Sequence, residues 1–357
     1  MPRAMTRRSA ADLVAAGLVP AEALTELERV AARYAVSLTP DLGELIDATD
    51  RHDPIARQFV PDPAELDHQA EESIDPIGDD ANSPVEGIVH RYPDRVLLKL
   101  AYVCAVYCRF CFRREMVGPG RRPSLSGPAL AAALGYIRDH KEIWEVILTG
   151  GDPLILSARR MGEVMGALAL VDHVKVVRIH TRVPIAAPAL ITPALVRALK
   201  AFGKATYVVL HANHPRELTS AAGTACARLV DAGIPMLSQS VLLRGVNDDP
   251  ATLETLMRAL VGCRIKPYYL HHGDLAPGTS HLRTTIAQGQ ALIRTLHGRV
   301  SGLCQPAYVL DIPGGHGKSP IGPSYIRAVP AGPGGQGFEI EDFKGGRHIY
   351  PPRAAGA

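Results

Sequence analysis

No apolar run in this chain approaches the length needed to cross a bilayer, and cysteine is scarce, at six of 357 residues. The first absence argues against a helical membrane protein. The second argues against a disulfide framework and fits a reducing, cytoplasmic setting. Neither sign of charge dominates. The 39 Lys and Arg against 36 Asp and Glu leave a net charge of +3, too small to point to nucleic acid or an anionic membrane. Internal repeats and low-complexity runs are missing as well. The N-terminus is basic at Arg3, Arg7 and Arg8, but Asp12, Glu22, Glu26 and Glu28 follow. A secretory signal needs an uninterrupted apolar core and a transit peptide avoids acids, so neither fits. With 46% hydrophobic and 21% charged residues, the chain reads as a globular protein, long enough for an α/β barrel with additions.

The few cysteines are unevenly placed. Cys226, Cys263 and Cys304 lie in apolar contexts and read as buried free thiols, whereas Cys104, Cys108 and Cys111 are spaced by three and then two residues after a strand-like run, with Arg113 and Arg114 just behind. Thiolate is the usual ligand of a cubane iron–sulfur cluster, and three thiolates leave its fourth iron open. The spacing resembles that of the radical S-adenosylmethionine (SAM) enzymes, in which the open iron chelates the amino and carboxylate groups of SAM. A zinc knuckle is the alternative, but structural zinc takes four protein ligands. The tail from Pro330 to Ala357 has no cysteine, so no structural zinc is expected.

Three segments can be drawn. Residues 1–89 form an N-terminal segment of two short helices (Ser9 capping the first, Pro20 starting the second) and an extended strap rich in Asp-Pro dipeptides. Residues 90–300 alternate apolar strands with helix-like runs. Strands are expected at 96–103, 145–148, 174–180, 205–211, 235–241 and 264–270, with helices near 128–140, 158–170, 192–201, 217–232 and 250–262. Six such units imply a parallel sheet curled into a partial (β/α)6, TIM-like barrel, whose functional groups gather where strands end. Residues 301–357 hold a C-terminal extension with Lys318. The second strand runs into Thr149-Gly150-Gly151-Asp152-Pro153, where glycine lets the backbone approach a ligand closely.

The motif Cys-Ala-Val-Tyr-Cys-Arg-Phe-Cys-Phe-Arg-Arg resembles that of the lysine 2,3-aminomutases, radical SAM enzymes that also carry pyridoxal phosphate (PLP). The likeness extends through His90-Arg91-Tyr92-Pro93-Asp94-Arg95, Gly150-Gly151-Asp152-Pro153-Leu154, His180-Thr181-Arg182, Asn213-His214-Pro215 and Gln239 to Asp248. It continues in Pro267-Tyr268-Tyr269 and in Asp311 to Pro320, covering roughly residues 35 to 330. Close relatives of that family that β-lysylate elongation factor P share the cluster motif and many of the others, while the stretch from Asp311 to Lys318 resembles the free-amino-acid aminomutases more.

The resemblance implies a role for each matching position. Cys104, Cys108 and Cys111 would hold a [4Fe–4S] cluster, and Gly150, Gly151, Asp152 and Gln239 would contact SAM. Lys318 would hold PLP, with Arg91, Tyr92 and Arg95 around it. Arg113 would take the carboxylate of L-lysine, while Asp274 and Asp311 receive its side-chain ammonium. The residues suit these tasks: a lysine amine condenses with an aldehyde cofactor, and guanidinium forks match phosphate and carboxylate. Each has a plainer alternative: a solvated lysine, surface arginines beside a proline turn, a salt bridge for Arg113, turn positions for the aspartates, and buried backbone satisfied by Gln239. A phosphate-cradling P-loop is excluded around Lys318 by Ile312 and Pro320. His211 and His214 read as polar lining near the SAM or PLP site. Phe110 stands where a histidine is common in the family; it can lie against adenine but cannot hydrogen-bond. The implied activity is an isomerase converting L-lysine to β-lysine, served by an electron donor such as flavodoxin or ferredoxin, as a possible homo-oligomer. The alternatives are an aminomutase acting in β-lysylation of elongation factor P and a non-catalytic iron–sulfur electron-transfer or scaffold protein.

Overall fold

Apolar strands alternating with amphipathic helices build one curled sheet of nine strands, paired strictly in chain order. These are β1 (Ile88–Tyr92), β2 (Arg95–Ala101), β3 (Glu145–Gly150), β4 (Val176–Thr181), β5 (Ala205–His211), β6 (Met236–Val241), β7 (Ile265–His271), β8 (Ala307–Ile312) and β9 (Gly317–Pro320). Strands β2 to β8 run parallel, while β1 and β9 close the two edges antiparallel. The structure, a computed structural model, describes residues 5–350 except 119, 121 and 332–334. Arg3 and the last seven residues of the tail therefore lie outside the described residues.

The six expected strands correspond to β2–β7, and the partial barrel gains a seventh parallel strand, β8. Only Tyr308, Val309 and Leu310 give β8 an apolar run, too short to stand out from a loop. Strand β1 escapes notice for the same reason, since Ile88 and Val89 are followed by three polar-tipped residues. Lys318 lies on β9, and the turn before it is residues 313–316, in which Gly314 and Gly315 have positive φ.

The helices are α1 (Ala10–Ala15), α2 (Leu24–Arg33), α3 (Pro40–Gly43), α4 (Ala56–Phe59), α5 (Gly127–Asp139), α6 (Ala158–Ala169), α7 (Val183–Ala186), α8 (Pro193–Lys200), α9 (Ser220–Asp231), α10 (Pro250–Gly262) and α11 (Ile286–Leu296). Ser9 caps α1, and Pro20 opens a 3-10 turn ahead of α2. The long crossover helices begin at Ser126, Ser157, Thr192, Thr219, Asp249 and Thr285, whose side chains accept from free backbone N–H groups of the first turn. Their apolar faces bury Met161, Leu199, Leu229 and Leu256 against Val146, Val177 and Leu210 of the sheet. Cys226 and Cys304 are buried as expected, but Cys263 is only half-buried, at the C-terminal cap of α10.

The strap crosses the barrel mouth. Glu65 receives the guanidinium of Arg109 (2.9 and 3.1 Å from Nε) and that of Arg114, all three buried. Further along, Gly78 (φ +68°) sits so close to the β8–β9 turn that a Cβ there would lie 2.4 Å from the Gly315 nitrogen. Beyond the barrel, β10 (Ile326–Ala331), β11 (Gly335–Glu341) and β12 (Arg347–Tyr350) form a separate antiparallel sheet. Among the described residues, no helix is long and apolar enough to cross a membrane.

Candidate functional site

One cavity of about 650 Å³ runs through the barrel interior, bordered by Arg95, Glu145 and Ala307 at the starts of β2, β3 and β8 and by His180, His211 and His271 near strand ends. Every residue assigned above to the cluster, SAM, PLP or the substrate borders this cavity. Its wall at one end is the loop leaving β2, which turns Cys104, Cys108 and Cys111 toward the same space. Burial pushes all three thiols up, Cys108 to about 12, while the Arg182 guanidinium pulls Cys108 down and Arg113 and Arg114 pull Cys111 down. Among the described residues, no three His, Cys, Asp or Glu side chains gather tightly enough for a single metal ion. The three thiols border the same cavity, with positive charge nearby to offset thiolates.

Arg113 follows the loop and is buried. Its Nη2 and Nε lie 2.9 and 3.2 Å from Oδ2 of Asp79, and its Nη1 lies 3.4 Å from Thr149 Oγ1. Asp79 also accepts from Arg91 Nη2 at 3.1 Å, and Arg91 reaches Ile77 O at 2.7 Å. Burial alone would raise the Asp79 carboxyl, but Arg113, Lys99 and Arg91 outweigh it and hold it below the usual range. Arg95 lies over the Tyr92 ring at 3.8 Å and pairs with Asp94. The Tyr92 hydroxyl accepts from the backbone N–H of Lys318 at 2.6 Å, tying β1 to β9.

Across the cavity, the β8–β9 register sets Asp311 directly opposite Lys318, so both side chains share a face and form an ion pair. His271 Nδ1 stands 3.5 Å from Lys318 Nζ and 3.4 Å from Asp311. Burial opposes ionisation of Asp311, but His271 and Lys318 hold it well below the ordinary carboxylate range. Asp274 is the opposite case, pushed up to about 7 by burial and by the charge on Asp311. Two neighbouring carboxylates thus have their titrations driven apart.

Several expectations change in detail. A Cβ on Gly150 would lie 2.4 Å from Ala101 O, and one on Gly151 2.3 Å from Val103 O. These glycines let β3 close against the end of β2, a chain-on-chain approach beside the cavity. The Asp152 carboxylate, raised by burial, accepts from Thr181 Oγ1 and from the backbone N–H groups of Leu154 and Arg182, so it braces the loop. Gln239 spans His180 and His211. His211 lines the cavity, but His214 does not: its Nδ1 accepts from the Arg216 N–H and caps a 3-10 turn. Phe110 borders the cavity and packs with Leu243, Val246 and Leu282.

Asp79, His180 and His271 were missed as site residues. The two histidines end β4 and β7, and polar residues at the C-terminal ends of parallel strands are the signal that finds them. Asp79 has no such signal. Burial depresses both histidines, His180 far below its ordinary value, so they stand as neutral imidazoles. Buried Arg91 Nε, Arg182 Nη2, His180 Nε2 and His271 Nε2 have no hydrogen-bond partner, and all four residues border the cavity. Such orphaned groups fit polar, anionic ligands and would be costly without them.

Residues 98–256 match the model of the radical SAM superfamily. An L-lysine 2,3-aminomutase of Clostridium subterminale is 41% identical over 291 residues, covering 82% of this chain and 70% of that one. One of Methanococcus maripaludis is 40% identical over 303 residues, covering 85% and 70%. A glutamate 2,3-aminomutase of Clostridioides difficile is 34% identical over 300 residues, covering 84% and 70%. These names are of amino-acid aminomutases, which favours neither the elongation-factor alternative nor a non-catalytic scaffold. With such identity over most of its length, and with its cysteine loop, arginines, aspartates and lysine around one cavity, the chain belongs to the lysine 2,3-aminomutase family.

Proposed function

We propose that this protein is a lysine 2,3-aminomutase, an isomerase that converts L-lysine to β-lysine by moving the amino group between adjacent carbons. The observation that carries the reading is the charge lining one cavity: a buried guanidinium (Arg113) and two carboxylates (Asp274 and Asp311) border the same space. That arrangement complements an amino acid with a carboxylate at one end and an ammonium at the other. An acidic side chain would meet like charge in a poorly solvated pocket.

The cofactors are those of the family: a [4Fe–4S] cluster, SAM and PLP. Cys104, Cys108 and Cys111 would hold the cluster; Gly150, Gly151, Asp152 and Gln239 would border SAM. Lys318 would hold PLP, with Arg91, Tyr92 and Arg95 beside it. When bound, the reduced cluster with SAM supplies reversible hydrogen-atom abstraction, and PLP carries the migrating nitrogen. The protein's part is placement. Arg113 holds the substrate carboxylate. Asp311, ion-paired with Lys318, would share the substrate's side-chain ammonium with Asp274 when that amine holds the cofactor. The strap and barrel wall keep water from the reacting carbons. A low-potential electron donor of the flavodoxin or ferredoxin type, a cytoplasmic setting and assembly as a homo-oligomer complete the reading.

Anaerobic incubation of reconstituted protein with L-lysine, SAM, PLP and a reductant tests it. β-Lysine should accumulate, with glutamate giving no β-glutamate. Absence of β-lysine from protein loaded with all three cofactors would overturn the assignment.

A further inference from the structure

The carboxylate of Asp79 belongs to the strap, yet it is almost wholly buried in contact with two arginines of the cavity wall. It meets Arg113 along one edge, Oδ2 accepting from Nε at 3.2 Å and from Nη2 at 2.9 Å. A guanidinium has five N–H groups in a rigid fork. Asp79 uses two of them on the side edge. The end edge, formed by Nη1 and the second Nη2 proton, keeps only a 3.4 Å contact to Thr149 Oγ1.

We propose that Asp79 is a positioning residue for the substrate carboxylate: it grips Arg113 from the side and leaves the end-on fork of that guanidinium aimed at the ligand. This deepens the proposed function and rests on Arg113 being the carboxylate partner.

The surroundings favour this role. The Asp79 backbone is fixed by its N–H to Asp75 Oδ1 at 2.8 Å and by Ser83 Oγ on its carbonyl, also at 2.8 Å. Gly78 locks the preceding residue against the β8–β9 turn. The grip is therefore set by the strap and is not a loose surface pairing. The charge balance also fits. Arg91 and Arg113 both contact Asp79, and buried Lys99 lies near enough to be pulled down by Arg113 and drawn up by Asp79. Asp79 hydrogen-bonds both Arg91 and Arg113, so its single charge does not by itself neutralise the two guanidiniums it touches, and the free edge of Arg113 can still attract an anion. Without Asp79 the cations repel one another, and a side chain with four rotatable bonds loses its anchor.

The test compares L-lysine with 1,5-diaminopentane, which keeps both amines and lacks the carboxylate. Equilibrium binding of each is measured by competition on cluster- and PLP-loaded protein, with iron content, PLP content and melting temperature recorded for every variant. Asp79→Asn should weaken lysine about 10-fold or more, as expected for losing charge-assisted hydrogen bonds, while diaminopentane binding stays within about two-fold. Should Asp79→Asn fail to fold, Asp79→Glu serves, because it keeps the charge and displaces the grip, and it should show the same selective loss. Arg113→Gln is the control. If Arg113→Gln leaves the preference for lysine intact, the reading of Arg113 itself fails. If Arg113→Gln removes the preference while the folded Asp79 variant keeps it, the Asp79 proposal alone is overturned. Equal weakening of both ligands by the Asp79 variant would also overturn it, since that marks a merely structural role.

Discussion

Asp274 makes the most demanding forecast, because burial and the charge on Asp311 push its carboxyl up to about 7 from an ordinary value of 3.8. An incoming ammonium favours the ionised form, so at pH 6 lysine must first expel a proton from Asp274. With a value near 7, about nine-tenths of the protein is protonated at pH 6 and about one-tenth at pH 8. Apparent lysine affinity should therefore fall roughly tenfold between pH 8 and pH 6, on top of the titration of the free amino acid. Asp274→Asn removes the titrating group. It should bind lysine roughly 30-fold or more weakly at pH 8, as for truncating a buried charge pair, and the extra tenfold step should vanish. The stability of the ligand-free protein should move the other way. A raised carboxyl favours the fold below about pH 4, and that advantage is lost as pH rises through 7. Asp274 is half-buried, so solvent screening leaves about 1–3 kcal/mol of this effect. Asp274→Asn should thus unfold later than the parent at pH 8 while binding lysine less well. Anaerobic lysine titrations and chemical unfolding at pH 6, 7 and 8 check both. Parallel pH profiles for the parent and Asp274→Asn would refute the reasoning.

Borohydride reduction of PLP-loaded protein should fix the cofactor to the peptide containing Lys318, and a label on any other lysine would sink that assignment. Replacing Cys104, Cys108 and Cys111 together with alanine should abolish the four-iron signal in iron counting and electron paramagnetic resonance; retention of four irons would contradict it. Glu65→Gln leaves two buried guanidiniums, on Arg109 and Arg114, without their counter-charge. It should cost about 3–5 kcal/mol in chemical unfolding, and a loss under about 1 kcal/mol would show that the strap is not anchored there.

Much of the barrel was legible because β2 to β7 are apolar runs bounded by capped helices, a pattern local to each unit. Strands β1, β8 and β9 were not, since each is short and is made a strand by its neighbour's free edge more than by its own residues. The site was legible where chemistry is tied to local spacing, as in the cysteine loop. It was illegible where it depends on contacts between distant segments. Nothing in Ile77-Gly78-Asp79-Asp80 announces that one of two adjacent aspartates will be buried between Arg91 and Arg113. The ion pair of Asp311 with Lys318 likewise follows from hairpin register, and a spacing of seven along the chain does not disclose it. His180 and His271 stood at strand ends in plain view, and their positions could have been weighed.

The order of the sheet has a consequence for biosynthesis. Because strands pair in the sequence in which they are made, the curled sheet can extend strand by strand as the chain emerges. The cysteine loop and the β3 loop that packs against it come early, whereas the hairpin bearing Lys318 is the last part of the barrel to arrive and must seat its turn on Gly78, a part of the strap translated long before. A chain interrupted just before β8 would present the three thiols and Asp274 with a sheet whose last edge is unpaired, and it would lack the amine. Such a fragment would be prone to edge-to-edge association and would have no means of holding the aldehyde cofactor.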